Sequence, residues 1–367
     1  MRAEKRIARL RAYLEEHGCD AIVVRSTTDL QWLTGFSHVF DSEQAHTAIV
    51  TADTAVVHTD SRYATAMRTA ACEEGIWRVH DEPCGIVRFV SETLRHAHLQ
   101  AGRACLDAST SVTLARALSD ALPGVAFEFV DGAVQGLRAV KEPEEASCMQ
   151  KAQDIASAAF EDVLSRLQAG MTEAQVSLDL EFQMRTRGAD GLAFANIVAS
   201  GPNSANPHAV PGQRVLAAGD FVVFDFGARV DGYCSDTTRT VSMGTPSAEQ
   251  RRAYEAVRLA NETVQRHIRA GVTGAQMHAL AESVLADAGF AGKMGHALGH
   301  GVGLDIHEMP LLSPRYDRPL RCGEVVTVEP GVYLAKDFGT RLEDFGMVTQ
   351  DGYMNFCGLT HELMVVE

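Results

Sequence analysis

Two stretches of the sequence repeat one phrase: LAAGDFVVFDFG at residues 216–227 and LRCGEVVTVEPG at residues 320–331. The apolar run in each stretch predicts a buried strand. A carboxylate occupies the same place in both, Asp225 in the first and Glu329 in the second. Because a buried carboxylate is costly unless a positive group neutralises it, the two acids indicate one shared site, and a metal ion is the simplest positive group.

The repeat continues into helical segments. Residues 169–188, AGMTEAQVSLDLEFQMRTRG, align without a gap with residues 270–289, AGVTGAQMHALAESVLADAG. Each half of this region therefore predicts a helix, then a strand, then an acid. Two such halves related by a pseudo-twofold axis would bring equivalent strands together, so that Asp225 and Glu329 converge near the axis.

The segment after Asp225 predicts a second carboxylate at the same point. Asp231-Gly232 is typical of a two-residue hairpin turn. In a hairpin with that turn, Asp225 faces Thr238, and Asp236 lies on the same face one diagonal step away. The two aspartates can then reach a common point, which suits two metal ions roughly 3.5 to 4 Å apart. Taken alone, either aspartate would more often be a surface acid beside a turn, but the diagonal geometry and the repeat favour the shared site.

Three histidines follow in the second half of the repeat. The run HALGHGVGLDIHE, residues 296–308, carries them among glycines that allow a close approach of the backbone. With Glu329 and Glu343 downstream, the candidate set becomes two aspartates, two glutamates and one or more histidines. Four carboxylates nearly balance the charge of two divalent ions, and oxygen ligands with one imidazole favour manganese, cobalt, iron or zinc over copper.

Length and composition narrow the class of protein. A chain of 367 residues predicts two domains. Acidic residues outnumber basic ones by 48 to 33, which argues against nucleic acid as a partner. The N-terminus has no apolar signal-peptide core, and no apolar stretch is long enough to span a membrane. We therefore expect a cytoplasmic protein with no membrane partner.

The first part of the chain has the alternating pattern of an α/β domain. Helical spacing at Ala3–His17, Gly85–Ala97 and Val112–Leu122 alternates with short strand-like runs. The composition then changes, and the segment from Glu142 to Glu145, with Pro143 inside it, is typical of a helix start. We place the boundary between residues 1–136 and residues 137–367.

From about Lys141 onward the chain resembles the pita-bread metallopeptidases, the family of aminopeptidase P, prolidase and methionine aminopeptidase. The first 130 or so residues resemble the creatinase-type N-terminal domain of the first two. This resemblance implies an α/β N-terminal domain followed by an α+β pita-bread catalytic domain with an internal pseudo-twofold repeat. The motifs that carry it, in family order, are NPHAVPG (206–212), VVFDFGARVDGYCSDTTRT (222–240), GHGVGLDIHE (299–308), TVEPGVY (327–333) and TRLEDFGMV (340–348).

The resemblance also implies the metal ligands. Asp225 would bind one ion, Asp236 and Glu343 would bridge two ions, and His300 with Glu329 would complete the other. Two divalent ions are expected, with manganese first and cobalt, zinc or iron as alternatives.

Other residues carry roles implied by the same family. The two non-ligand histidines are expected to hydrogen-bond the substrate carbonyl and the tetrahedral intermediate, and Glu329 to move protons. Two residues of a second group are expected to support or orient the ligands. The third is a phenylalanine that is expected to form a pocket wall, although packing in the core explains it equally well. These residues are His208 and His307 in the first group, and His296, Arg341 and Phe194 in the second.

The implied reaction is hydrolysis of the bond between an N-terminal residue and a following proline, by a homodimer. In prolidases an arginine commonly follows the HExP stretch and holds the dipeptide carboxylate, whereas here Pro310 is followed by two leucines and the nearest arginine is Arg315. Loss of such a bond would cost about 1.5 to 3 kcal/mol. We therefore expect an Xaa-Pro aminopeptidase, with an Xaa-Pro dipeptidase as the alternative. The intact ligand set disfavours a non-peptidase hydrolase or a peptide-binding module.

Overall fold

The computed structural model describes residues 2–36, 38–41 and 43–367. The chain divides into two compact units, the first ending at Arg138 and the second running from Ala139 to Glu367. The boundary expected after residue 136 falls inside the last helix of the first unit. Over the described residues, none of the helices combines the length and the apolar character that crossing a bilayer requires.

The first unit is a mixed sheet with helices packed on it, in the strand order β4-β3-β2-β1-β5-β6. Strands β1, β5 and β6 are parallel to one another, whereas β2 is antiparallel to both of its neighbours. Its elements are α1 (Arg2–Glu16), β1 (Ala21–Val24), α2 (Thr27–Thr34), β2 (Thr47–Thr51), β3 (Ala55–His58), α3 (Ala64–Glu74), β4 (Arg78–His80), α4 (Ile86–His96), β5 (Gly102–Asp107), α5 (Val112–Ala121), β6 (Val125–Val130) and α6 (Ala133–Arg138).

Helices α2 and α3 were not predicted from the sequence. Helix α2 has 8 residues, too few for helical periodicity to stand out. Helix α3 buries only Met67 and Ala71, so its apolar face is narrow. Helix α2 packs against α1 and α6, and α3 packs against β4. Both helices are stabilised by these tertiary contacts, which a local pattern does not reveal.

The second unit contains two similar halves, each made of a helix pair and a mainly antiparallel sheet, although β20 runs parallel to β12. The strand orders are β20-β12-β9-β8 in one half and β14-β13-β15-β18-β19 in the other. The elements are α7 (Pro143–Leu164), α8 (Glu173–Thr186), β7 (Gly191–Leu192), β8 (Ile197–Ser200), a 3₁₀ turn (Gly201–Ala205), β9 (Phe221–Phe226), β10 (Ala228–Val230), β11 (Tyr233–Cys234), β12 (Thr237–Met243), α9 (Ala248–His267), α10 (Gly274–Asp287), β13 (Gly299–Gly301), β14 (Glu308–Leu312), β15 (Val325–Val328), β16 (Gly331–Leu334), β17 (Phe338–Arg341), β18 (Asp344–Val348), β19 (Tyr353–Asn355) and β20 (Met364–Val366).

The repeat seen in the sequence is also a repeat of helix capping. Helix α8 follows Thr172, whose hydroxyl accepts a hydrogen bond from the backbone of Gln175, while the Gln175 side chain accepts one from the backbone of Thr172. Helix α10 begins in the same way with Thr273 and Gln276. Because a capping box satisfies two backbone donors that the helix leaves unpaired, both helices start at equivalent residues.

The central hairpins of the two halves meet edge to edge. Strand β9 pairs with β12, and β15 pairs with β18. An isolated antiparallel bridge between Thr238 and Glu343 connects the two hairpins. Beside it, the buried Arg239 guanidinium donates to the Asp344 carboxylate at 2.7 Å. The carboxylates of the two halves therefore lie close to one another.

The predicted turn sets the register of the first hairpin. Asp231 and Gly232 have φ angles of 50° and 83°, which a two-residue turn with two left-handed positions requires. With that turn, Asp225 lies opposite Thr238, as predicted. The hairpin is interrupted between β11 and β12, and Asp236 lies in the interruption.

Candidate metal centre

A cavity of about 390 Å³ in the second unit contains the candidate site. The ten site residues proposed from the sequence all line it. They are Phe194, His208, Asp225, Asp236, His296, His300, His307, Glu329, Arg341 and Glu343.

The five candidate ligands lie in or directly beside five strands of the two sheets. Asp225 is inside β9, Asp236 directly precedes β12, and Glu343 directly precedes β18. His300 is the middle residue of β13, and Glu329 directly follows β15. Strand β13 can approach β15 closely because residue 299 is glycine: a Cβ there would lie 2.2 Å from the Thr327 carbonyl oxygen.

His300 faces carboxylates with an unprotonated nitrogen. Its Nδ1 lies 3.0 Å from the Gly301 carbonyl oxygen, which assigns the ring proton to Nδ1. Its Nε2 lies 3.5 Å from Asp236 Oδ2 and 3.4 Å from Glu329 Oε1. A lone pair that faces two carboxylates needs a cation between them, and a hydrogen bond from the other ring nitrogen to a carbonyl is the usual arrangement in metal-binding histidines.

The carboxylates repel one another in a buried place. Burial raises the pKa of Asp236 well above its ordinary value, and the nearby Glu343 raises it further. Burial also raises the pKa of Glu343, with Glu329 adding to the effect, and it raises the pKa of Glu329 to about 8. Divalent cations would remove this repulsion and keep all of these groups ionised.

The spacing of the donor atoms and an unpartnered carboxylate oxygen also suit a metal ion. Ligand atoms of Asp236, His300 and Glu343 all lie within 4.8 Å of one another. Asp225 Oδ1 is buried and makes no hydrogen bond to any described residue. A buried carboxylate oxygen is costly without a partner, so an ion at this point would satisfy it. Carboxylate oxygens and one imidazole suit manganese, iron, cobalt or zinc.

Arg341 connects three groups around the ligands. Its Nη2 donates to Asp225 Oδ2 at 2.6 Å, its Nε donates to Thr238 Oγ1 at 3.0 Å, and its Nη1 donates to the Tyr333 hydroxyl at 2.9 Å. The Thr238 hydroxyl in turn donates to Glu343 Oε2 at 2.6 Å. Asp225 and Glu343 are therefore oriented by one continuous network.

The sequence analysis assigned no role to three residues that contact the candidate ligands or Arg341. Thr238 and Tyr333 belong to the Arg341 network, and Thr327 Oγ1 donates to Glu329 Oε1 at 3.2 Å. Thr238 could have been found, because the predicted hairpin already placed it opposite Asp225. Tyr333 stands in one of the quoted motifs but depends on a contact that no spacing indicates.

His296 contacts the network and no carboxylate ligand. Its Nδ1 lies 2.7 Å from the Ala297 carbonyl oxygen, which assigns the ring proton to Nδ1. The other nitrogen, Nε2, therefore accepts a hydrogen bond from the Tyr333 hydroxyl at 3.1 Å. Burial lowers the pKa of His296 to about 4, which keeps the ring neutral. Its effect on the ligands therefore passes through Tyr333 and Arg341.

The two remaining histidines lie on the cavity wall. The His307 ring packs edge-on against the His300 ring at 4.3 Å, and burial lowers its pKa. The next residue, Glu308, forms a buried ion pair with Lys141, which anchors the chain beside His307. His208 lies in the loop after the 3₁₀ turn, where its backbone N–H donates to Asn206 Oδ1 at 3.3 Å. Both rings can reach a ligand in the cavity as hydrogen-bonding groups.

Comparison with known proteins identifies the family. Residues 147–350 match metallopeptidase family M24, and residues 6–140 match the creatinase/prolidase N-terminal domain. The chain is 33% identical to the uncharacterised peptidase YqhT of Bacillus subtilis, over 98% of this chain and 100% of that protein.

Two solved structures are similar over nearly the whole chain. An Xaa-Pro dipeptidase from Bacillus anthracis is 34% identical, with a TM-score of 0.93 over 99% of this chain and 100% of that one. An X-Pro aminopeptidase from Thermotoga maritima is 32% identical, with a TM-score of 0.87 over 98% and 100%. The predicted fold class, an α/β N-terminal domain followed by an α+β pita-bread catalytic domain, is confirmed. This chain is thus a member of metallopeptidase family M24, a family of metal-dependent peptidases, with a creatinase/prolidase N-terminal domain preceding its catalytic domain.

Proposed function

We propose that the protein is a dinuclear Xaa-Pro aminopeptidase, which hydrolyses the bond between an N-terminal residue and a following proline. The observation that carries the proposal is the convergence of four buried carboxylates and a neutral histidine in one cavity. In this proposal Asp225 would hold one ion, Asp236 and Glu343 would be shared by both, and His300 with Glu329 would complete the other. Manganese is the metal we expect, with cobalt, zinc or iron as alternatives.

The side chains of the cavity divide the chemical work. When bound, the divalent ions would supply a Lewis acid and a water activated for attack on the scissile carbonyl. Glu329 is the carboxylate we assign to proton transfer toward the leaving imino group. His208 and His307 hydrogen-bond the substrate carbonyl as charge develops on its oxygen.

The cavity wall supports a proline-directed specificity. Phe194, Ile197 and Val210 line it with apolar surface close to the carboxylates. Such a wall suits a pyrrolidine ring, which offers no N–H group for hydrogen bonding. The nitrogen of the reacting Xaa-Pro amide belongs to this ring, so that amide also has no N–H group.

The charges of the cavity favour peptides longer than two residues. Of the described residues that line it, only Arg341 carries a permanent positive charge. Its guanidinium is 96% buried and already donates to Asp225, Thr238 and Tyr333. It is therefore not available to hold the free carboxylate of a dipeptide.

An Xaa-Pro dipeptidase is the second candidate, because the similar structure from Bacillus anthracis has that name. The two candidates differ in how the rate changes with peptide length. Manganese-loaded protein should be assayed on an Xaa-Pro dipeptide, on the same sequence extended by two residues, and on an extended control with alanine in place of proline. We expect the extended proline peptide to be cleaved about tenfold faster than the dipeptide or more, because a missing charge-assisted bond costs about 1.5 to 3 kcal/mol.

A faster reaction with the dipeptide would favour the second candidate instead. Equal cleavage of the alanine control would reject proline specificity, and inactivity toward all three peptides would reject both candidates. The proposal also includes a cytoplasmic homodimer, for which sedimentation equilibrium of the purified protein is the direct measurement of the oligomeric state.

A further inference from the structure

A second cluster of metal-binding side chains lies within the first unit. His58 ends β3 and His80 ends β4, and the two residues are register partners in the parallel pairing of these strands. Cys84 follows in the segment between β4 and α4. Ligand atoms of His58, His80 and Cys84 all lie within 4.8 Å of one another.

The ring nitrogens in this cluster face each other. His58 Nδ1 and His80 Nδ1 are 3.0 Å apart. Two imidazoles that bind one ion tetrahedrally at about 2.0 to 2.1 Å place their ligand nitrogens at a similar separation. His58 Nδ1 also lies 3.0 Å from the His80 carbonyl oxygen, so a hydrogen-bonded histidine pair is the competing explanation. In that explanation the Cys84 side chain only packs against the hydrophobic core of the first unit.

The surroundings hold the two rings in place and leave a path for an ion. Phe89, which is fully buried, packs on the His58 ring at 4.7 Å and on the His80 ring at 5.0 Å. His58 is buried, whereas His80 and Cys84 are partly exposed. The two histidine rings are thus held against an aromatic side chain. The partly exposed side of the cluster is accessible to solvent, so a water molecule can bind there.

Charges of both signs act on the cluster. The Asp60 carboxylate acts on His58, and the Glu82 and Glu92 carboxylates act on Cys84, each favouring positive charge. Arg88 opposes them, but its guanidinium is paired with Glu92 at 2.9 Å. A thiolate at Cys84 would add a negative charge of its own on metal binding.

We propose that His58, His80 and Cys84 form a binding site for one divalent cation of the zinc type, with water as the fourth ligand. Sulfur and two imidazoles select zinc or cobalt(II), in contrast to the oxygen-rich set of the catalytic cavity. This site is independent of the proposed peptidase reaction. It assigns a function to a cluster that the catalytic machinery does not use.

The test is cobalt(II) titration of the full-length, metal-stripped, reduced protein, followed by absorption spectroscopy. Only a thiolate ligand gives an intense near-ultraviolet sulfur-to-cobalt charge-transfer band, and none of the candidate ligands of the catalytic cavity contains sulfur. We expect the band in the wild type and in Asp236→Asn, and we expect it to be absent in Cys84→Ser. Zinc added afterwards should remove the band by displacement.

The controls separate this site from other thiols and from the catalytic metals. Cys72→Ser, which changes an exposed cysteine of the same unit, should keep the band. His80→Gln should weaken cobalt binding at least tenfold, while Cys84→Ser should keep its peptidase activity. Absence of the band in the wild type, or an undiminished band in Cys84→Ser or His80→Gln, would overturn the proposal and leave the hydrogen-bonded histidine pair.

Discussion

Asp236 is the residue on which the candidate site depends most directly. It is 4% exposed and lies among three other carboxylates, so replacing it with asparagine removes a metal ligand together with a repulsive charge. We expect Asp236→Asn to lose more activity than the roughly 10–100-fold that loss of an outer partner costs. Metal content measures the loss of the ligand, and thermal unfolding measures the loss of the repulsive charge. A variant with full activity would contradict the assignment, and unchanged unfolding would show that the fold is intact.

Thr238 tests whether the network around the ligands matters. Its hydroxyl accepts from Arg341 and donates to Glu343, and valine has nearly the same shape without these bonds. We expect Thr238→Val to lower metal affinity about 10–100-fold, because Glu343 loses its orienting donor. Metal titration monitored by activity and by calorimetry measures the change.

A matched control separates this effect from simple loss of a buried hydroxyl. Thr34 is also 0% exposed, and its hydroxyl donates to the Leu30 carbonyl oxygen at 2.7 Å in the first unit. Thr34→Val should reduce stability by about 1 to 3 kcal/mol without changing metal affinity. Equal metal affinities for the two variants would argue against an orienting role for Thr238.

At the scale of elements, the decisive contact joins β12 and β18. Arg239 is fully buried and donates to Asp344, to the carbonyl oxygens of Thr238 and Glu343, and to the chain near Leu359. We expect Arg239→Met to cost about 3 to 5 kcal/mol, because the buried Asp344 carboxylate loses its guanidinium partner and keeps only His361 and Gln265. Urea unfolding measures this loss.

Two control variants test the explanation given for Arg239→Met. Adding Asp344→Asn to Arg239→Met should recover part of the loss, since the buried charge is then removed. Arg88→Met, which breaks an exposed pair with Glu92, should change stability by about 0.5 kcal/mol at most. A small effect of Arg239→Met would mean that the two hairpins do not depend on this ion pair.

At the scale of the whole molecule, the site should make stability depend on pH when metal is removed. The pKa of Glu329 is raised to about 8 from 4.5, so the folded chain keeps a proton that the unfolded chain has released. Stability therefore falls as pH rises between these values. The pKa of His300 is lowered to about 4 from 6.5, which has the opposite effect below pH 6.5. Between pH 6.5 and 8 only the fall remains.

Thermal unfolding of chelator-treated protein at pH 6.5 and at pH 8 measures this dependence. We expect a lower unfolding temperature at pH 8, and a much smaller difference after manganese is added, because the metal favours the ionised carboxylates. The Asp236→Asn variant should show a smaller difference without metal. Metal-free stability that is constant or rises over this range would contradict the electrostatic description of the site.

The sequence by itself determined the fold class and the residue types of the candidate site. The two phrases around Asp225 and Glu329 carry local information, because strand periodicity and helix capping act within a few residues. The Asp231-Gly232 turn is equally local, and it was enough to predict that Asp225 faces Thr238, which the strand pairing confirms. The metal-ligand roles remain predictions.

Only the tertiary structure decided how those residues are connected. Thr238 contacts Glu343 across 105 positions of the chain, and Arg341 contacts Asp225 across 116. Helices α2 and α3 likewise depend on tertiary partners, α1 and α6 for the first and β4 for the second. Such contacts depend on the packing of two complete hairpins and two helix pairs. No pattern within a short window contains them, because the free energy that selects them comes from burial shared by segments far apart in the chain.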